Sequence, residues 1–405
     1  MSAHRLKRLA ILTTQGDAGS LHRESQFIFR YTDEALAHPE RAISLTMPVR
    51  PEGYRGNRIP PVLAMQLPEG FLLDYLHARL GKAVDIRDEM NLLALVSTPN
   101  AGRVYARADD AKDPARGEPI ALETLLAAPG TEDLFRSLLE RYSLATAISG
   151  VQPKVVVPSR GALADKSRLQ TPDLIVKTDG GEFPGLAENE FHCMTIAKQA
   201  GIEVPDFWLS DDRKLFVIRR FDRDGEGRYL GFEEMAPLTG RHADRKYEGS
   251  YGQVTDALRL NCAPGQAVES LGRFYRQFVL CCLLRNGDAH LKNWGLTYSD
   301  PVGAGTDARL SPAYDMVCTA AFIPKDTLAL SLEGTKEWPG RQVLERFGRE
   351  RCEVAKPGEV IDELREVVAS FRPAEKTPAW KAMVPALEAG FAQAAPGASN
   401  RKGRR

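Results

Sequence analysis

The strongest constraint on this chain is a polar segment that directly follows an apolar helix. The helix is predicted from apolar residues at helical spacing, namely Leu271, Tyr275, Phe278 and Cys282. The pattern stops at Asn286-Gly287, and the run NGDAHLKNWGL follows at once. A buried helix therefore fixes the start of a segment rich in acidic, basic and amide side chains.

Three side chains near this segment suit phosphoryl transfer. Asp288 and Asn293 lie in the run itself, and Asp315 closes the later run LSPAYD. One acid can orient an attacking hydroxyl while an amide and a second acid hold magnesium on nucleotide phosphates. Each residue alone could simply cap a turn. Together they predict Asp288 as the catalytic acid and Asn293 and Asp315 as metal ligands.

Two basic residues in the same run leave alternatives open. His290 has no second His or Cys at metal-ligand spacing, so a hydrogen-bonding structural role is favoured over metal binding. Lys292 could neutralise the γ-phosphate as an ATP-binding residue, or it could be a surface charge.

An upstream lysine is the expected phosphate contact of a small lobe. Lys177 ends the predicted strand DLIVK and would project toward the α- and β-phosphates. Such a lysine needs an acid on the neighbouring helix. Glu190 is the first candidate and Glu188 the second, because residues two apart on a helix cannot share a face.

Two further runs are candidate nucleotide contacts. The run SGVQPK lies where a phosphate-covering loop belongs, although a simple turn is the alternative. Its candidate ATP-binding residues are Ser149, Gly150, Val151, Gln152 and Lys154. In the run RRFDR, Phe221 could pack on adenine and Asp222 could bond the ribose. Otherwise this run is a charged loop with one core aromatic.

Periodicity and breaks divide the chain into an α+β arrangement. The predicted units are a small module (1–105), a β-rich lobe with one packed helix (118–235), a helical lobe (236–395) and a basic disordered tail (396–405). In the first module we expect strands over Leu9–Thr13, Phe27–Tyr31 and Ile43–Met47.

Composition excludes several protein classes. Lys plus Arg and Asp plus Glu each number 54, so no global basic field indicates direct nucleic-acid binding. The six cysteines show no CxxC spacing, and no apolar stretch approaches membrane-spanning length. The sequence therefore predicts a cytoplasmic protein with no membrane association.

Taken together, these runs resemble the HipA family of serine/threonine kinase toxins. The matching runs are AISGVQPK, DLIVK, ENEFHCMTIAKQAGIEVP, RRFDR, NGDAHLKN and LSPAYD, and LTMPVR, MQLPEGFLLDYL and NAGRVY in the first module. The resemblance implies a bilobal, protein-kinase-like fold of the PI3/4-kinase-like type. It has a small β-rich N-lobe, an extra N-terminal subdomain and a mostly helical C-lobe.

The resemblance also implies a function. Such a kinase uses ATP and Mg²⁺ to phosphorylate an aminoacyl-tRNA synthetase, which arrests translation and growth and leads to persistence. It also phosphorylates itself in the phosphate loop. A HipB-like helix-turn-helix antitoxin is the implied partner, and DNA is contacted only through that antitoxin.

This chain departs from the family pattern in the loop and beside RFD. The first loop serine is replaced by Ala147, which leaves Ser149 as the expected autophosphorylation site. Arg219 stands where some members have an acid, so we expect backbone groups to contact adenine there.

Two alternative functions remain at this stage. A small-molecule phosphotransferase would also use an Asp and Asn pair followed by a metal-binding Asp. An inactive scaffold that acts as co-repressor with a DNA-binding antitoxin would not need the three residues together.

Overall fold

The computed structural model is a mixed α+β protein. It describes residues 6–80, 85–95, 101–108, 120–131, 133–134, 137–138, 154–158, 172–179, 183–302 and 306–397. Three sheets are present in this part of the chain, and three hydrophobic cores hold them to the helices. Within the same part, no helix has both the length and the apolar character needed to cross a bilayer.

The N-terminal subdomain is built on a five-stranded antiparallel sheet with the order β4-β3-β2-β1-β5. Its strands are β1 (Arg8–Thr13), β2 (Gly16–Arg23), β3 (Phe27–Tyr31), β4 (Tyr54–Gly56) and β5 (Val104–Arg107). Its helices are α1 (Asp33–Leu36), α2 (Pro61–Ala64), α3 (Gly70–Leu80) and α4 (Glu89–Leu95). Alternate residues such as Leu9, Ile11 and Leu21 are completely buried, as expected for a sheet with one covered face.

Two expectations for this sheet were incomplete or wrong. Strand β2 was not predicted, because its sequence GDAGSLHR has few of the residues that favour strands. The predicted strand Ile43–Met47 was wrong, since this segment is a turn closed by an isolated bridge between Ser44 and Met47. The Ser44 hydroxyl and the Leu45 amide donate to the Glu233 carboxylate instead of to a neighbouring strand.

The small lobe is a four-stranded antiparallel sheet with the order β6-β7-β9-β8. Its strands are β6 (Lys154–Pro158), β7 (Pro172–Thr178), β8 (Phe207–Leu209) and β9 (Leu215–Arg219), and its helices are α5 (Leu122–Ala127) and α6 (Leu186–Gln199). This agrees with the predicted antiparallel lobe with one packed helix.

The two faces of this sheet pack against different parts of the chain. Leu174, Val176, Leu215 and Val217 form a core with Leu76, Ile86 and Leu92 of the N-terminal subdomain. Phe216 and Ile218 face the other way and pack with α6. The first predicted unit therefore supplies one wall of the small lobe.

The helical lobe surrounds one long buried helix. Its helices are α7 (Met235–Leu238), α8 (Tyr251–Asn261), α9 (Ala267–Leu284), α10 (Arg341–Cys352), α11 (Pro357–Ser370) and α12 (Pro378–Gln393). Three short strands, β10 (Gly231–Glu234), β11 (Gly295–Tyr298) and β12 (Arg309–Leu310), form an antiparallel sheet that was not predicted. Each of the six cysteines, all in described segments, is a buried free thiol.

The turn after α9 packs closely against the Asp326 side chain. The helix ends at Leu284, and Arg285 takes the left-handed conformation. A Cβ atom on Gly287 would overlap the Asp326 carboxylate, so a larger residue there would require that side chain to move. The turn therefore delivers Asp288 from a rigid, buried element.

Candidate active site

Lys177 lies at the centre of a buried charge cluster. Its Nζ lies 2.5 Å from Glu190 Oε1 and also contacts Asp315 Oδ1. Glu190 is fully buried on α6, and Lys177 is nearly so. Burial alone would lower the pKa of Lys177, but the two carboxylates raise it above its ordinary value. The lysine therefore stays charged and joins β7 and α6 to the segment that carries Asp315.

The choice between the two candidate acids on α6 is clear in the structure. Glu188 points away from Lys177 and accepts hydrogen bonds from Thr377 Oγ1 at 2.8 Å and Arg213 Nη1 at 3.1 Å. Residues two apart on a helix face different directions, as the sequence argument assumed. The first-ranked candidate, Glu190, is the one in contact with Lys177.

Asp315 sits in a constrained backbone conformation. Its φ is 54°, in the left-handed region that non-glycine residues seldom adopt. The preceding Tyr314 donates its hydroxyl to the Lys292 carbonyl at 2.8 Å. Three residues on, the amide of Cys318 donates to Asn189 Oδ1 at 2.8 Å, and Asn189 Nδ2 donates to the Cys318 carbonyl at 3.2 Å. The segment around Asp315 is thus fastened to the Asp288 segment and to α6.

Asp288 is within electrostatic reach of Asp315. Its side chain keeps 47% of its surface exposed, and its Oδ1 accepts a hydrogen bond from Tyr247 Oη at 2.5 Å. Partial burial raises the pKa of Asp288, and the charges of Asp315 and Asp326 act in the same direction. The Tyr247 hydrogen bond and Lys246 oppose them. The two predicted acids therefore share one site.

Asn293 lies beside Asp315. Both residues line one small cavity, and Asn293 Oδ1 accepts from the His290 amide at 3.2 Å. Within the described ranges, no group of three or more His, Cys, Asp or Glu side chains could hold a metal. One amide and one carboxylate oxygen suit a Mg²⁺ ion that keeps phosphate and water ligands. These two residues fit such an ion without a larger protein cage.

His290 and Lys292 are both buried in the same turn. His290 Nδ1 accepts from the Lys292 amide at 3.3 Å, which agrees with the favoured hydrogen-bonding role. Burial, with Lys246 and Lys292 nearby, lowers the pKa of His290 to about 3, so the ring is neutral. Lys292 is not a surface charge. Its Nζ lies 2.9 Å from Glu234 Oε2 and 3.2 Å from Glu69 Oε1.

Comparison with known proteins decides the family. The HipA-like C-terminal domain matches residues 146–374, and the HipA N-terminal domain matches residues 9–107. The chain belongs to the HipA family.

Individual HipA relatives agree with this assignment. The Sinorhizobium fredii protein named "Putative kinase Y4dM" is 32% identical over 335 residues, which are 78% of this chain and 76% of that protein. The Haemophilus influenzae protein named "Putative kinase" is 28% identical over 208 residues, which are 48% of this chain and 59% of that protein. The structure of Shewanella oneidensis HipA, solved with HipB and operator DNA, has a TM-score of 0.68 at 20% identity and covers 95% of each chain. That likeness supports the fold, while the PI3/4-kinase-like detail stays a prediction.

The RRFDR run of this HipA chain makes structural contacts. The Phe221 ring packs 5.2 Å from Tyr314 and 5.1 Å from Phe232, between centroids. Asp222 is buried and accepts from Arg220 Nη2 at 2.5 Å and from the Gly102 amide at 2.6 Å. To reach a ribose, Asp222 would have to exchange its bond to Arg220 or its bond to Gly102, which joins the N-terminal subdomain to the small lobe.

Most of the predicted HipA phosphate loop lies outside the described residues. This applies to Ser149, Gly150, Val151 and Gln152, and to the side chain of Lys154. The backbone of Lys154 begins β6 and pairs with Lys177 in the sheet register. The chain therefore leaves the loop beside the lysine of the charge cluster.

Four side chains at the HipA site were missed from the sequence. They are Glu69, Asn189, Glu234 and Tyr247. Glu69 contacts Lys292 across more than two hundred residues, so no local pattern could reveal it. Asn189 would have been the easiest of the four to predict, because it directly precedes Glu190 on a helix that the sequence predicts.

Proposed function

We propose that this HipA-family chain is an ATP- and magnesium-dependent serine/threonine protein kinase and the toxin of a toxin–antitoxin pair. The observation that carries the proposal is the contact of Lys177 with both Glu190 and Asp315, beside Asp288. A protein-kinase site needs a lysine held by a helix acid, a metal-binding acid and a hydroxyl-orienting acid within one cleft.

In this proposal each residue has a separate task. Asp288 orients the acceptor hydroxyl and takes its proton. Lys177 contacts the nucleotide phosphates while Glu190 holds its ammonium. Lys292 neutralises charge on the transferred group. Asn293 and Asp315 would hold Mg²⁺, which neutralises phosphate charge when bound.

The remaining nucleotide contacts are proposed from sequence. Ser149, Gly150, Val151, Gln152 and Lys154 cover the phosphates, and Phe221 and Asp222 contact adenosine. Ser149 is the proposed autophosphorylation site. The register of Lys154 beside Lys177 supports the position of this loop.

The proposed partners follow from the family. A HipB-like helix-turn-helix antitoxin would bind this chain in the cytoplasm, and the Shewanella complex supports that partner. DNA would be contacted only through the antitoxin. The proposed substrate is an aminoacyl-tRNA synthetase, whose phosphorylation would halt translation.

Intact-mass analysis tests the reaction and its target together. The purified chain is incubated with ATP, Mg²⁺ and individual synthetases, beside Asp288→Asn and the control Asp224→Asn, an acid in an exposed turn. We expect one phosphate on one synthetase and on this chain, lost in Asp288→Asn and kept in Asp224→Asn. A Ser149→Ala variant should lose only the self-modification. Transfer to small molecules alone, or no transfer, would favour the phosphotransferase or the scaffold instead.

A further inference from the structure

Tyr247 makes an unusually direct contact with the proposed catalytic acid. Its hydroxyl donates to Asp288 Oδ1 at 2.5 Å, and among the described residues no other hydrogen bond to the Asp288 carboxylate is present. The nearest ring nitrogen, His290 Nε2, is 3.9 Å from Oδ1 and belongs to a neutral imidazole. The orientation of the carboxylate therefore depends on Tyr247.

The Tyr247 side chain is itself held in place. Its ring lies edge-on to the buried His290 ring, 4.9 Å between centroids, and Lys336 Nζ donates to its carbonyl at 3.2 Å. The neighbouring carbonyl of Lys246 accepts from the Leu291 amide at 3.1 Å. Two hydrogen bonds thus join the turn that carries Tyr247 to the Asp288 segment: one from the Tyr247 hydroxyl and one to the Lys246 carbonyl.

The N-terminal subdomain also contacts this turn. Arg58 Nη1 contacts both oxygens of Asp244, at 2.8 and 3.0 Å. His242 Nε2 is 2.8 Å from the Ile59 carbonyl, and Lys246 Nζ is 3.5 Å from Glu69 Oε2. These contacts fix the backbone that leads into Tyr247, whose partly exposed side chain is then positioned by Asp288 and His290.

We propose that Tyr247 is a positioning residue that fixes the carboxylate of Asp288 for proton abstraction from the acceptor. Its hydroxyl occupies Oδ1, and the half-exposed side chain leaves Oδ2 for the incoming hydroxyl. In the transfer step, the acceptor oxygen bonds to the γ-phosphorus, the bond to ADP breaks, and the acceptor proton passes to Oδ2. Tyr247 exchanges no proton. The oxygen of a general base must be held about 2.6–3.2 Å from the oxygen whose proton it removes.

This inference rests on the proposed kinase function, so its test separates the two. ADP formation from Mg–ATP with water as acceptor, and self-phosphorylation by intact mass, are measured for wild type, Tyr247→Phe, Tyr229→Phe and Asp288→Ala. Phenylalanine keeps the ring against His290 and removes only the hydroxyl. Tyr229 is a control because its ring stacks on Arg223, away from Asp288.

We expect Tyr247→Phe to lower kcat about tenfold, as loss of a hydrogen bond to a charged group predicts. The KM for ATP and the melting temperature should stay unchanged, and Tyr229→Phe should behave as wild type. An unchanged or faster kcat, or a raised KM at full kcat, would overturn the positioning role. Activity that survives in Asp288→Ala would instead overturn the proposed function.

A crystal structure of Tyr247→Phe provides a readout that needs no turnover. We expect the Asp288 carboxylate to leave its wild-type rotamer or to occupy more than one. A single, unmoved carboxylate in that structure would show that other groups hold it, and the inference would fail.

Discussion

Lys177 Nζ lies 2.5 Å from Glu190 Oε1, and this pair joins the central strand of the small sheet to its helix. Both side chains are buried, so the pair depends on its neighbours for solvation. Removing one partner of such a pair leaves the charge of the other buried without a counter-charge, which is strongly destabilising. The contact is therefore a sensitive point for both nucleotide binding and folding.

Replacing Glu190 by Gln is expected to impair transfer selectively. The ammonium of Lys177 would keep Asp315 as its partner and shift toward it, away from the phosphates. We expect kcat/KM for ATP to fall by about 10- to 100-fold, the effect of a modest misplacement at a reacting centre. Single-turnover transfer at varied ATP measures this.

Glu188→Gln is the matched control for that experiment. It weakens the contacts to Thr377 and Arg213 and should cost about 1–3 kcal/mol of stability. It should leave kcat/KM for ATP near wild type. Equal kinetic losses in both variants would contradict the separate roles of the two acids.

Replacing Asn293 by Ala is expected to change the metal requirement. Because Asn293 and Asp315 line one cavity, loss of the amide oxygen should raise the Mg²⁺ concentration for half-maximal rate at least about tenfold. Titration of the initial rate with Mg²⁺ measures it. Asn261→Ala, which removes an amide bonded to its own helix, should leave the titration unchanged.

Replacing Glu69 by Gln should reveal a contribution of the N-terminal subdomain to transfer. Glu69 and Glu234 together raise the pKa of the buried Lys292 against the effect of burial. Without the Glu69 charge, the Lys292 ammonium should be held less firmly, and we expect kcat to fall about tenfold.

Glu34→Gln is the control, because Glu34 pairs with Arg41 at the surface of the same subdomain. Its kcat should equal that of wild type. If Glu69→Gln also matched wild type in kcat, the contact with Lys292 would have no part in transfer.

Asp222→Asn is expected to lower stability as well as weaken the proposed adenosine contact. Burial would raise the pKa of Asp222, but Arg220 and Arg223 lower it below the ordinary value. The ionised Asp222 carboxylate therefore stabilises the folded state above about pH 4, the ordinary pKa of an unfolded aspartate. This stabilisation is lost as the pH falls and the carboxylate takes up a proton. At pH 7 the variant should lose about 3 kcal/mol.

Urea unfolding between pH 3 and 7 measures this difference. The gap between wild type and Asp222→Asn should narrow as the pH falls below about 4. A gap that is constant with pH would show that the charge of Asp222 does not stabilise the fold, and an unchanged KM for ATP would contradict the proposed adenosine contact.

The sequence predicted those parts of the site that local pattern controls. The end of a predicted strand gave the position of Lys177, and helical spacing placed Glu188 and Glu190 on different faces. The end of the apolar helix α9 gave the position of Asp288. Tyr247 and Glu69 escaped prediction because each reaches the site from a turn or loop without periodicity. Strands β10 and β11 escaped for a related reason, since four-residue strands are stabilised by partners distant in sequence.

The core shared by Leu76, Leu92, Val176 and Val217 has a consequence for truncation. A fragment that began at the HipA-like C-terminal domain would expose to water the apolar face of the small-lobe sheet that normally packs against the N-terminal subdomain. Such a fragment should aggregate rather than fold, because large bared apolar faces associate. The two family domains should consequently unfold in one cooperative transition. A gene that encoded either domain alone would then yield no functional protein.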